Sequence, residues 1–396
     1  MVYYFFEDVP EELELRSESI AVALTIVASY KLELKGVKYL KLTDYFEHRE
    51  LCEDSEKYLD SQLEWINKFN SFVQGIFPTA REYNINLPLL YFYNIKVLLD
   101  QVVYTTRTFY RFFEREKPKE IIYYSQVLHE EKIDRWLWFY YGETIDSRLI
   151  IPICERLNIH CKKIIVKDNY LTDIRTKLSY IKSKIRNFIP IKIWKSLRSF
   201  RSQLLHEMPT IFTFPVNYKN NRGNILILTE GKDYIYNFCK DANKNGFKLF
   251  FRGNNEIRKQ NIFSPWGNKM KFIKSNSEKK IFDESSINKI MDDFLNNWKL
   301  LDWVNNQCKF DTTSILKSRI EFIIKDVFSE TIMLIRKYRD YYIEHKIDYT
   351  LAGYLSSIDD FSAVAAARTT EKTKSVGFYH GMDAMRSYSR YFFEFY

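Results

Sequence analysis

Short apolar runs alternate with longer stretches of helical period along this chain, a pattern that predicts parallel strands joined by helices. Val2 to Phe6 reads as an opening strand. The periodicity then predicts a helix over about 15–34, a strand from Val37 to Leu42, and helices over about 51–77 and 88–116. After Pro118, Lys119 to Ser125 reads as a strand. Helices are expected over Trp136 to Tyr141 and Ser147 to Leu157, separated by Gly142-Glu143-Thr144, with a strand at Cys161 to Val166. Residues 207–223 carry Pro209, Pro215 and a polar run ending in Gly223, which marks a linker.

A second unit begins after that linker. Asn224 to Leu228 reads as a buried strand and Thr229 to Lys232 as the loop at its carboxyl end. Tyr234 to Asn245 reads as a helix capped by Gly246, and Phe247 to Phe251 as the next strand. Lys271 to Ile273 is a third expected strand, and long helices are expected over about 285–306 and 313–345.

The last segment carries the most specific pattern. Tyr349 to Leu355 reads as a strand. Ser357 and Asp360 have the spacing of a helix N-cap with an acidic residue three positions on, and Ala363 to Ala367 propagates the helix. Val376 to Tyr379 is a short strand that stops at His380-Gly381. Ligands of parallel sheets bind at the carboxyl ends of strands, so this histidine is placed for chemistry.

This corner, Phe378-Tyr379-His380-Gly381 after an Ala-rich helix, resembles one found in capsule polysaccharide transferases and CDP-glycerol glycerophosphotransferases of the GT-B architecture. The resemblance covers roughly the last 35 residues well and about 220–381 loosely; residues 1–215 carry none. It implies a metal-independent glycosyltransferase or polyol-phosphate transferase using a nucleotide-activated donor, with a glycan or lipid-linked acceptor and no other cofactor. In that family a nucleotide-binding domain follows the corner. Only 15 residues follow it here, so the fold is expected to be incomplete at its C-terminus.

Composition narrows the field. The chain has 396 residues, enough for two or three domains. Its 60 Tyr and Phe residues are many, as are Lys and Ile, a bias that an A/T-rich coding genome produces as readily as function does. The five cysteines are scattered with no C-x-x-C, which speaks against a zinc site or a disulfide framework and favours buried free thiols in a reducing compartment. The N-terminus lacks the basic start of a signal peptide, and no apolar run approaches the ~20 residues that span a bilayer. No G-x-G-x-x-G, G-x-x-x-x-G-K-[ST], Asp-x-Asp, G-x-S-x-G or H-E-x-x-H occurs.

Charge is concentrated in one place. Between Ile174 and His206 stand nine basic residues and no acidic one, against a net charge of +9 for the chain. Leu178, Ile181, Ile185 and Phe188 recur at helical spacing. After Pro190, Trp194, Leu197, Phe200 and Leu204 resume it, with Lys192, Lys195, Arg198 and Arg201 on the other side. Two short amphipathic helices of this kind lie in an anionic membrane surface. They equally serve as an interdomain pair with solvated lysines. Nucleic acid is disfavoured, because the aromatics sit away from the basic face.

The fold class expected is α/β, with Rossmann-like doubly wound parallel sheets and a helix-rich N-terminal part. The domains expected are 1–172, a basic amphipathic and linker segment 173–223, and a Rossmann-like 224–396. His380 is the candidate base that deprotonates an acceptor hydroxyl; phosphate binding or a structural role are its other readings. Gly381, Glu230, Gly231, Lys232, Ser357 and Asp360 are candidate substrate-binding residues, with helix capping the rival role for Ser357 and Asp360. Lys192, Trp194, Lys195, Arg198, Phe200 and Arg201 are the candidate membrane-surface set. The expected place is the cytoplasm, peripheral at the inner face of the membrane. The rival reading is a non-catalytic glycan-assembly protein of the same fold.

Overall fold

The computed structural model describes residues 1–47, 49–50, 53, 57–126, 144–166, 222–228, 238–239, 241–242, 244–251, 302–352 and 358–377. The strands are β1 (Val2–Phe6), β2 (Ser19–Ala23), β3 (Tyr39–Lys41), β4 (Glu120–Gln126), β5 (His160–Val166), β6 (Gly223–Ile227), β7 (Phe247–Phe251), β8 (Tyr349–Ala352) and β9 (Lys374–Gly377). The helices are α1 (Ile26–Leu34), α2 (Leu59–Ile76), α3 (Pro78–Glu82), α4 (Leu87–Leu90), α5 (Phe92–Glu116), α6 (Ile145–Arg156), α7 (Asp302–Cys308), α8 (Thr313–Phe322), α9 (Ser329–Glu344) and α10 (Ile358–Arg368). They divide into two compact units. The first takes the described residues of Met1–Ile76, Leu87–Arg175 and Glu284–Ile324; the second those of Phe77–Asn86, Thr176–Asp283 and Lys325–Tyr396.

The first unit is built on a parallel sheet of order β3-β2-β1-β4-β5. Successive side chains of the central strand face opposite sides. Tyr4 and Phe6 pack with Ala28 and Leu32 of α1 on one side. Phe5 meets Phe112 of α5 on the other, edge to face at 5.1 Å between ring centroids. Both faces are therefore covered, which suits a strand whose every side chain from Tyr3 to Phe6 is buried.

One expected element is corrected here. Residues 15–34 are not a single helix: β2 occupies Ser19–Ala23 and α1 starts at Ile26. Pairing of Ile20 and Val22 with β1 draws that stretch into the sheet. Thr25 then caps the helix, its hydroxyl accepting from the Ala28 amide at 3.0 Å. The outer face of α1 leaves Ile26, Val27, Tyr30 and Leu34 exposed.

The region expected to hold helices over 285–306 and 313–345 divides between the units. Tyr110 of α5 donates to the Cys308 carbonyl at 3.0 Å, and Arg107 donates to Gln307, fastening α7 to the first unit. A π-helical stretch, Ile323–Phe328, joins α8 to α9.

The second unit holds a parallel sheet of order β7-β6-β8-β9. Its core gathers Ile225, Ile227, Leu249 and Leu351 against Cys239 and Ala242. α10 lies against α9 through small residues, with Ala363 and Ala366 fully buried. Tyr342 of α9 donates to the Ala363 carbonyl and accepts from Thr350 of β8, both at 2.9 Å, so one phenol joins helix, helix and strand.

Helix ends recur in one form. Gly36, Asn84, Asn158 and Lys346 adopt positive φ just past α1, α3, α6 and α9. In each case the next residue donates back into the helix, as Val37 to Leu32, Ile85 to Ala80, Ile159 to Cys154 and Ile347 to Tyr342. These are Schellman turns, and after α1, α6 and α9 they deliver the chain into a strand within a few residues.

Candidate functional site

Parallel sheets bind ligands where the strand order reverses direction, outside the carboxyl ends of the strands. Each unit has one such point. In the first it lies between β1 and β4, and in the second between β6 and β8.

At the first, β1 runs straight into Glu7 and Asp8. Glu7 is 1% exposed. Its Oε1 accepts from the Tyr123 hydroxyl at 2.6 Å and from Thr144. Its Oε2 accepts from the Gln126 amide at 2.7 Å and from Ser125 at 3.4 Å. Its backbone carbonyl accepts from the Thr25 hydroxyl at 2.7 Å. Thr25 and Thr144 are the N-caps of α1 and α6, so both helix starts are tied to one residue. Burial raises the Glu7 carboxyl above its usual range, against the lowering effect of those hydrogen bonds and of Lys163. Asp8 beside it accepts from Lys31 of α1 at 2.6 Å.

Asp146 stands on the first turn of α6, and the residue is half-buried. Desolvation and the negative field of Glu7 raise its carboxyl to about 6, while a hydrogen bond with Thr105 lowers it. A carboxyl that titrates near neutrality can take up or release a proton under physiological conditions. Glu7, held by four donors, acts instead as the tie that fixes the geometry.

Sequence reasoning did not single out this cluster. Its signal was present as an acidic pair, Glu7-Asp8, directly after an apolar strand, and as Thr144 three residues before Ser147. The remote partners Tyr123 and Ser125 could only be found with the sheet in register.

At the second reversal, β6 ends at Ile227 and β8 at Ala352, paired as parallel neighbours, with β9 ending at Gly377 beside them. The chain leaves these ends into the segments that carry the sequence-chosen residues. Glu230, Gly231 and Lys232 follow β6, Ser357 follows β8, and His380 and Gly381 follow β9; all of these lie outside the described residues. Lys192, Trp194, Lys195, Arg198, Phe200 and Arg201 lie outside them too, as do the expected strand at 271–273 and helix at 136–141.

Asp360 is described. It is the third residue of α10 and is 6% exposed. Its neighbour Asp359 accepts from the Tyr338 hydroxyl of α9 at 3.0 Å.

Among the described residues no group of three or more His, Cys, Asp and Glu side chains converges as a metal site would need, and no helix is long and apolar enough to cross a membrane. Compared with protein-family models, with curated proteins and with solved structures, the chain matches none.

Proposed function

We propose that this chain belongs to a GT-B-type transferase that moves a sugar or a polyol phosphate from a nucleotide-activated donor to a surface polysaccharide or lipid-linked glycan. The observation that carries the reading is the strand order of the second sheet. β6, β8 and β9 are adjacent and parallel, so the segments bearing Glu230 to Lys232, Ser357 and His380-Gly381 all leave the same edge of one sheet. Residues chosen from three separate stretches of sequence thereby start from neighbouring strand ends, at the reversal where this fold class takes its ligands. Support also comes from the presence of two all-parallel sheets in one chain.

In this reading His380 takes the proton of the acceptor hydroxyl as it attacks the activated donor carbon or phosphorus. The nucleotide phosphate departs with the bonding pair. Glu230, Gly231 and Lys232 line the donor side, with the Lys232 ammonium offsetting phosphate charge. Asp360 keeps the start of α10 in place beside β8. No metal is assigned a step.

The test is turnover. The chain is incubated with a panel of nucleotide-activated sugars and polyols and with glycan acceptors, and nucleotide release is measured. His380→Ala should lower release by about 100-fold or more while donor affinity stays within a few-fold. Equal turnover in the variant removes the base assignment. Donor binding without turnover in either protein supports the non-catalytic assembly reading instead.

A further inference from the structure

α9 crosses one face of the second sheet, and its contacts fix which of its residues reach which edge. The Asn224 side chain, at the start of β6, donates to the His345 and Lys346 carbonyls at 2.9 Å each, so the helix ends at the amino edge of the strands. One turn back, Tyr341 lies edge to face with Phe250 of β7, and Tyr342 accepts from Thr350 of β8. Phe250 and Thr350 both pair with Leu226 of β6, so these contacts mark one row across the sheet. A further turn back, Tyr338 donates to Asp359 on the first turn of α10, beyond the end of β8. Lys337 stands next to Tyr338, eight residues before His345. Eight helical residues rise about 12 Å and the four steps from Asn224 to Leu228 about 13 Å, which sets Lys337 level with the carboxyl end of β6.

Three cations fall within four residues there, Arg336, Lys337 and Arg339. Arg336 donates to the Thr79 hydroxyl, and Arg339 lies over the Tyr83 ring at 5.1 Å, so α3 and the residue after it take up both guanidinium groups. Lys337 has no such partner. Its Nζ is out of contact with solvent and has no hydrogen-bond acceptor among the described residues. The nearby Asp359 carboxylate is engaged by Tyr338. An ammonium withdrawn from water without an acceptor is costly, and a bound anion removes that cost. We propose that Lys337 is a phosphate-binding residue of the second sheet, its ammonium meeting the diphosphate of a nucleotide at the carboxyl end of β6. Position and charge agree. Parallel sheets take their ligands outside that edge, and lysine binds phosphate as a point charge with three donors. A base or a sugar offers no negative charge to an ammonium, so the diphosphate is the part assigned to it. The identity of the ligand as a nucleotide rests on the transferase reading; the phosphate site itself rests on Lys337.

The test compares the full chain with Lys337→Met, which keeps an unbranched side chain and removes the charge. Calorimetric titration with nucleoside diphosphates should show binding weakened by about tenfold or more in the variant, with affinity for the bare nucleosides unchanged. The urea midpoint of the ligand-free variant should stay equal or rise, because no unpartnered charge is left buried. Equal diphosphate affinity in the two proteins overturns the proposal. So does a ligand-free variant that unfolds at lower urea, which makes Lys337 a support of the fold instead. Inorganic pyrophosphate separates this site from the transferase reading. If no nucleoside diphosphate binds the unaltered chain, yet pyrophosphate raises its thermal midpoint and not that of Lys337→Met, the transferase reading fails and the phosphate site stands. If neither binds the unaltered chain, both fail.

Discussion

At the scale of single residues, the first unit depends on how one buried carboxylate is satisfied. Glu7 would be costly to bury alone, yet Tyr123, Thr144, Ser125 and the Gln126 amide surround it. The Asp146 carboxyl is raised by burial and, second, by the electrostatic field of Glu7. The sign of the consequence follows from linkage. Unfolded Asp146 loses its proton near 3.8, whereas the folded residue keeps it to about 6. Between those values the folded state binds more protons, so stability from this residue falls as pH rises through the window and is lost above it. Part of Asp146 remains in contact with solvent, which limits the effect to about 1–2 kcal/mol. Asp146→Asn should therefore flatten urea-unfolding stability between pH 4 and 6 and raise it at pH 7 by that amount. An unchanged pH slope would show that the carboxyl titrates normally.

At the scale of elements, local sequence was a good guide wherever a run was bounded by its own punctuation. The strands at 2–6, 120–126 and 160–166 stand close to where alternation and Pro118 place them. α10 is described from Ile358, within the helix that the Ala-rich run predicts. The failure at 15–34 has a physical cause. A β2 of five residues followed by a helix at Ile26 presents one continuous apolar stretch, and only pairing with β1 separates strand from helix. The Ala-rich stretch of α10 had a second meaning that periodicity hides. Ala363 and Ala366 are fully buried in the second unit, and Tyr342 of α9 is bonded to the Ala363 carbonyl. Ala366→Leu has high helix propensity and should still destabilise the second unit by about 1–3 kcal/mol in chemical denaturation, through overpacking. Full tolerance of the leucine would mean that Ala366 is not closely packed in solution.

At the scale of the whole molecule, the α/β class was legible because strands and helices alternate along the chain. The strand orders, and hence the two reversal points, were not legible, because order is decided by crossovers rather than by any local pattern. The candidate site divides in the same way. The residues chosen from sequence after β6, β8 and β9 are strand-end choices that lie outside the described residues, whereas the Glu7 cluster needs three strands and two helices in register. The segment at 174–206 carries a charge equal to that of the entire chain. If it serves as a membrane-surface patch, replacing Lys192, Lys195, Arg198 and Arg201 with Glu should abolish co-flotation with anionic liposomes at physiological salt, given about 1 kcal/mol per basic residue. Undiminished flotation would assign surface contact elsewhere, the exposed stripe of Ile26, Val27, Tyr30 and Leu34 being the next place to test.

The most direct measurement is equilibrium binding of nucleoside mono- and diphosphates by calorimetry to the unaltered chain and to Lys232→Ala and Ser357→Ala. A ligand site at the carboxyl ends of β6 and β8 predicts saturable binding of one nucleotide class, weakened by about tenfold or more in each variant. Affinity unchanged in both variants, or no binding of any nucleotide, would contradict it.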